Sequence, residues 1–371
     1  VAKHLLSLAA AVAVFLPVAA CGGTNDSRFQ PGVVETAGDA GPDGAGAAGA
    51  QPCGSNDASK GAIQLASAKH PSAIAVAGGN VYWIDPALGT VNVVSACGGA
   101  PTTLVTTSML GSSTLIPAGI AVAGSSVYFT TQDPWNPDGN DGAVWKVPAA
   151  GGAPTMLVQG LDRPGPVAVT GASMVWIDSW QTDADDGQIM QAPLDGSSWT
   201  ILASAQNGPW ALAVGGGKVV WTTSGFVDSV RGAVEETPVG GGIVDGIGVA
   251  QGMPVGVAVE GPDVFWANQG DPNVSNSGSI MKQLLDPSAA GDPVTLVSGG
   301  APQGIAVDGA HVYWTDSQSQ SVNEVALAGG APTTVAAGQV APLAIAVDDT
   351  SVYWTTVAEG TGQGSVMKIA R

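Results

Sequence analysis

Three tryptophans and three aspartates carry most of the chemical promise of this chain. Trp135 and Asp133 fall in the segment QDPWNPDGND at 132–141, and Asp178, Trp180 and Asp183 fall in DSWQTDADD at 178–186. Trp210 directly follows Pro209. An indole face flanked by carboxylates holds a sugar well: the ring stacks on the apolar sugar face and the carboxylates take its hydroxyls. These six residues form the candidate ligand-binding set, for a glycan or a peptide. The alternative is that each Trp folds down as a lid on its own loop. Asp138–Asp141 and Asp183–Asp186 are oxygen-rich, which suits Ca²⁺. Neither has the spacing of an EF-hand, and Asp-Gly is ordinary turn chemistry, so no metal ligand is assigned and Ca²⁺ stays open.

Catalysis has less to stand on. Beyond His4 the histidines are His70, just before Pro71, and His311. The elements below put them far apart. No Gly-x-Ser-x-Gly elbow opens a helix. The reading is therefore of a binding or scaffold module with no catalytic residues and no cofactor. The alternative kept beside it is a propeller enzyme of lactonase or lyase type, by analogy of fold alone.

These residues hang on a repeat. The pattern is Pro, two residues, an aliphatic, Ala, Val, a short turn, then an apolar run closed by Trp or Phe. It begins at Pro71, Pro117, Pro164, Pro209, Pro254, Pro302 and Pro342. It closes at Trp83, Phe129, Trp176, Trp221, Trp266, Trp314 and Trp354. Successive units are 46, 47, 45, 45, 48 and 40 residues apart. Periods of this size with several short strands per unit mark propeller blades. Unit six shows the four strands: 305–307, 312–316, 322–327 and 332–335, separated by Gly-rich turns. The last unit stops at Arg371 after its third strand, while the stretch 62–67 before Pro71 reads like an outer strand. The chain is thus expected to form a seven-bladed, all-β propeller of four-stranded antiparallel blades over 61–371. The N-terminal strand completes the last blade and leaves no open edge. The Ala shared by all units is expected where the first strands crowd around the axis. The variable loops between second and third strands, which carry Trp135 and Trp180, are where binding is expected.

The string VYWTD at 312–316, with VYWTT at 352–356 and VYWID at 81–85, resembles the YWTD repeats of lipoprotein-receptor propellers. The resemblance implies blade construction and no receptor partner. It departs from that family in having seven units rather than six, and at Phe129, Val175 and Val220.

The N-terminus reads as a processing signal. Lys3 and His4 precede a 14-residue apolar stretch, Leu5–Val18, too short to span a bilayer. It runs into VAACG at 18–22, which resembles the bacterial lipobox. That resemblance implies cleavage after residue 20, lipidation of Cys21 with palmitate-type acyl chains, and attachment to the cell envelope. Gly22, where an Asp would signal inner-membrane retention, favours the outer membrane and leaves its face open. The alternative is an ordinary cleavage site with an incidental Cys. Residues 21–60, rich in Gly, Ala, Asp and Pro, read as a flexible tether reaching roughly 30–40 Å. With Cys21 acylated, Cys53 and Cys97 remain, either as one disulfide or as two thiols.

The balance of 30 Asp+Glu against 11 Lys+Arg gives a net charge of −19. Such a field repels phosphate backbones and argues against nucleic acid. The expected partner is an envelope protein or glycan, with the membrane engaged through the lipid anchor only.

Overall fold

The computed structural model describes residues 61–371, apart from 137–139, 179–185, 224–231, 272, 286–290 and 359–362. Seven four-stranded antiparallel sheets make up the structure, each ordered from an inner to an outer strand. Six are continuous in sequence, spanning 73–105, 116–161, 167–206, 209–251, 254–298 and 302–336. The seventh takes its three inner strands, Pro342–Val347, Ser351–Ala358 and Gln363–Ala370, from the C-terminal end of the chain. Its outer strand is Ile63–Ala68, paired antiparallel so that Ile63 faces Lys368 and Ala68 faces Gly364. The expected ring closure is present.

Each blade is a sheet with both faces apolar, so each must be covered on both sides. The hydrophobic clusters fall one to each junction between neighbouring blades. At the junction of blades 6 and 7, Ala306, Tyr313 and Val322 of one sheet meet Ile345, Val347 and Trp354 of the next. The same arrangement joins Ala258 and Phe265 to Ile305 and Trp314, and Ala346 and Tyr353 to Ile74 and Trp83. The register explains it. Ala306 lies opposite Tyr313, while Ile305 lies opposite Trp314, so small-plus-aromatic residues share one face and aliphatic-plus-Trp residues the other. The repeated Ala therefore does not mark crowding at the axis. It makes room in the junction for the bulk of the following blade.

Five of the seven prolines that open the units also have a partner. A β-carbon on Gly142, Gly187, Gly232, Gly278 or Gly364, near the start of a third strand, would overlap the ring of Pro164, Pro209, Pro254, Pro302 or Pro71 of the next blade. The Gly is thus a socket for the neighbour's Pro. Buried polar groups tie the strands as well. The Thr315 hydroxyl, fully buried, accepts from Gly304 N at 2.9 Å and donates to Leu343 O of the next blade at 2.6 Å. The indole nitrogens of Trp221, Trp266 and Trp354 donate to Gln206, Gln251 and Gln339, each 15 residues upstream, at 2.8–3.0 Å.

The socket is testable. Gly232→Ala should lower the unfolding free energy by about 1–3 kcal/mol through overpacking. Gly171→Ala, where the added methyl meets nothing within 4 Å, should stay within about 0.5 kcal/mol. Denaturant titration of both variants checks the contrast.

Candidate functional site

The strand order fixes two unlike faces. Second-to-third loops and the connections between blades emerge on one, here termed the loop face; the remaining hairpin turns form the turn face. The turn face is short and internally tied. Asp308 accepts from the Tyr313 hydroxyl at 3.0 Å and pairs with Arg371, while Asp348 accepts from the Tyr353 hydroxyl at 2.9 Å. Burial, and then the charge of Glu324, pushes the Tyr313 phenol up to about 12. Third-strand side chains reach the next blade on this side. Lys282 donates to Leu327 O at 3.2 Å, Lys368 donates to Ala96 O at 2.9 Å, and Gln191 accepts from Gly240 N at 2.9 Å.

On the loop face, Trp135 stands out at 80% exposure. Asp133 holds it there by accepting from Trp135 N at 2.9 Å while also accepting from the Thr114 hydroxyl. Asn136 donates to Asp141 at 2.7 Å in the same loop. Two of the six expected binding residues, Trp135 and Asp133, therefore come together. Trp180 and Asp183 lie outside the described residues, as do Cys21, Cys53, residues 138–139 of the first oxygen-rich stretch and 183–185 of the second.

The other two expected residues are elsewhere. Trp210 is only 9% exposed and packs with Ala211, Val255, Val257 and Trp266 in the junction of blades 4 and 5. The residue after the opening Pro points into the junction rather than to solvent, and Val255 occupies the equivalent place in blade 5. Asp178 is 9% exposed at the end of its strand, the position held by Asp85 and Asp316 in blades 1 and 6. Those carboxylates are buried and cap backbone. Asp85 accepts from Lys69 N at 2.7 Å and His70 N at 3.2 Å; Asp316 accepts from Ser319 N at 2.8 Å and Ala301 N at 3.2 Å. The Asp of the YWTD-type string thus holds the connection into its own blade. Asp178 shares that setting and does not stand on an exposed platform with Trp135.

Two residues that the motif reading passed over are also exposed on the loop face. Leu88 is 55% exposed in the blade 1 loop, and Met109 is 43% exposed in the 3₁₀ turn Thr107–Leu110. The loop and turn touch, because Thr107 fills the space beside Gly89. The same connection runs on to Thr114, which is bonded to Asp133. Leu88, Met109 and Trp135 are thus exposed on an arc of loops in blades 1 and 2 that are tied to one another at Thr107 and Thr114. From Pro86 to Gln132 the sequence has no Asp, Glu, Lys, Arg or His, in a chain of net charge −19. That gap was legible in the sequence.

His70 precedes Pro71 on the loop face and His311 ends a turn on the turn face, so the two form no dyad. Among the described residues no group of three or more His, Cys, Asp or Glu gathers to hold a metal. No helix among them is long and apolar enough to cross a membrane. Cys97 is disulfide-bonded.

The fold so defined is that of a seven-bladed β-propeller, as the YWTD-type strings imply in kind if not in blade number. No family model matches the chain, and no curated protein does. Solved structures are similar. A streptogramin B lyase aligns at a TM-score of 0.60 and 11% identity, over 84% of this chain and 97% of its own. Virginiamycin B lyase from Staphylococcus aureus aligns at 0.59 and 12%, over 83% and 98%. The hydrazine synthase of Kuenenia stuttgartiensis aligns at 0.59 and 13%, over 81% and 95%. At these identities the likeness is one of fold.

One half-buried carboxyl in this architecture has a shifted titration. Glu235 shares the indole N–H of Trp221 with Gln206, accepting at 3.1 Å. Burial raises its pKa above the usual glutamate value, and the Trp221 hydrogen bond opposes this. The folded state therefore holds this proton more tightly than the unfolded chain, and stability from this group falls as pH rises through the raised pKa. Glu235→Gln keeps an oxygen acceptor for Trp221 and removes the half-buried charge. It should raise the melting temperature by a few degrees at pH 7, with the gain shrinking as pH falls toward the unperturbed glutamate range. Thermal melts across pH check this.

Proposed function

We propose that this chain is a binding module of the cell envelope, held to the outer membrane by lipid on Cys21 and presenting its loop face to a partner protein. The observation that carries the reading is the exposure of Leu88, Met109 and Trp135 on that arc of loops, the first two within the uncharged stretch 86–132. Interface cores are depleted of charged residues and enriched in Trp and Met, because burying a charge costs more than the contact returns. Leu and Met have nothing to offer a sugar hydroxyl, so the arc favours a polypeptide over a glycan. The Gly-, Ala-, Asp- and Pro-rich composition of 21–60 supports a tethered module free to turn toward its partner.

The test immobilises the domain from residue 61 onward and quantifies what it captures from envelope extracts, alongside binding to a glycan array. Met109→Asp and Trp135→Ala, both on exposed side chains, should leave the melting temperature unchanged and cut capture of the bound protein about tenfold or more. Unchanged protein capture, with glycan binding lost in Trp135→Ala, supports the glycan reading instead. Cys21→Ser should abolish incorporation of labelled palmitate. The lyase alternative rests on likeness of fold, and turnover of a cyclic depsipeptide lactone by the purified chain would establish it.

A further inference from the structure

The outer strand of each blade is a sheet edge, and an edge with unpaired backbone groups invites another strand. Most blades here guard it. The residue directly before the outer strand is Pro101, Pro154, Pro293 or Pro332 in blades 1, 2, 5 and 6. A proline there removes a backbone N–H and blunts the edge. Blade 4 has Val244 at that place but opens its outer strand, Asp245–Gln251, with an acid. Blade 7 has Ala62, and Lys69 directly follows its strand. Blade 3 has neither device. Trp199 stands directly before its outer strand, Thr200–Gln206, and from Gly196 to Gly217 the sequence has no Asp, Glu, Lys, Arg or His. Among the described residues that strand pairs only with Gly187–Pro193 of its own blade, so its far side has no partner strand. Trp199 and Ile201, two apart and hence on one face, are exposed. On the other side, the blade 4 turn at Gly241 comes up against Leu202 of this strand, and the exposed Ile243 and Val244 follow it directly along the rim.

We infer that this edge pairs antiparallel with the same edge of a second copy, joining two propellers through one continuous sheet. The charge pattern selects the occupant. Two chains of net charge −19 repel each other over most of their surfaces. They meet where neither presents charge, and the blade 3 edge is such a stretch. A cationic partner finds no acid there and is drawn to the carboxylates elsewhere. The strand is also self-complementary. A two-fold axis through Thr200, perpendicular to the sheet, sets Trp199 of one copy beside Ile201 of the other, twice over. Side chains on one face of the strand stay on one face of the joined sheet, so these four form a single cluster. The contact is small, and the dimer it makes is weak. This surface is separate from the loop-face arc and does not require the lipid anchor.

The experiment is sedimentation equilibrium of the full chain from about 5 to about 500 µM, with amide exchange in Thr200–Ser204 followed at both extremes. A monomer–dimer equilibrium is expected, with exchange in Thr200–Ser204 slowed at the higher concentration. Salt should tighten it, because the contact holds no charge and screening relieves the repulsion around it. Trp199→Pro gives blade 3 the residue that guards blades 1, 2, 5 and 6, and Ile201→Lys sets like charges against each other. Each should weaken association about tenfold or more while melting as the wild type does. If a variant melts early, the concentration dependence of exchange in the wild type decides alone. A chain that stays monomeric throughout overturns the inference, as does association that salt weakens or that both variants leave intact. A dimer dissolved by Met109→Asp and Trp135→Ala, with exchange in Thr200–Ser204 the same at both concentrations, overturns it in favour of the loop face.

Discussion

The structure depends on the pairing of two unlike sheet faces. A single blade has an Ala-and-aromatic face and an aliphatic-and-Trp face, and neither survives in water alone. Each is satisfied only by the opposite face of a neighbour, as when Ala258 and Phe265 receive Ile305 and Trp314. Because the contact is head-to-tail, one junction always exposes the surface that calls for the next. The demand ends only when the last blade meets the first, where Ala346 and Tyr353 cover Ile74 and Trp83. The Pro-into-Gly sockets repeat the same direction, each Pro seated on the blade before it. Small-to-large fit at every junction makes the blades interdependent, so packing errors at one are felt around the ring.

Much of this was legible in the sequence, because a repeat writes the same physics several times. The seven Pro positions gave the blade number, and the missing fourth strand after Arg371 gave the closure through 62–67. What the repeat could not convey was where each side chain points when its environment comes from another unit. Trp210 was expected on the binding face, yet it packs in one junction with Val255, its equivalent in the next blade, so the position is interior. Asp178 looked like a ligand beside Trp180 because loops rich in Asp often bind. Its counterparts Asp85 and Asp316 show that this Asp belongs to the strand end, where a buried carboxylate collects backbone N–H groups that would otherwise go unpaired. Asp133 and Trp135 were legible because they depart from the repeat altogether. The sockets at Gly187 and Gly232 were missed because their meaning lies in the following unit's Pro.

The two ends of the cylinder differ for the same reason. On the turn face, polar side chains such as Asp308, Asp348, Lys282 and Lys368 are spent on turns and neighbours, leaving little chemistry for a visitor. On the loop face, Asp85 and Asp316 fix the connections at the bases of the loops. Rigid bases let the loop tips vary without loosening the ring. Leu88, Met109 and Trp135 use that freedom, the first two in the stretch 86–132 where hydroxyl-bearing and apolar residues replace the acid found elsewhere.

Closing the ring with a strand from the opposite terminus carries a hazard during assembly. The ladder from Ile63 to Ala68 would be met equally well by Gln363–Ala370 of a second molecule. Crowded nascent chains risk linking into concatemers, each lending its first strand onward. Newly made copies therefore favour self-closure when they fold singly and dilute, and overproduction should shift the product toward swapped chains.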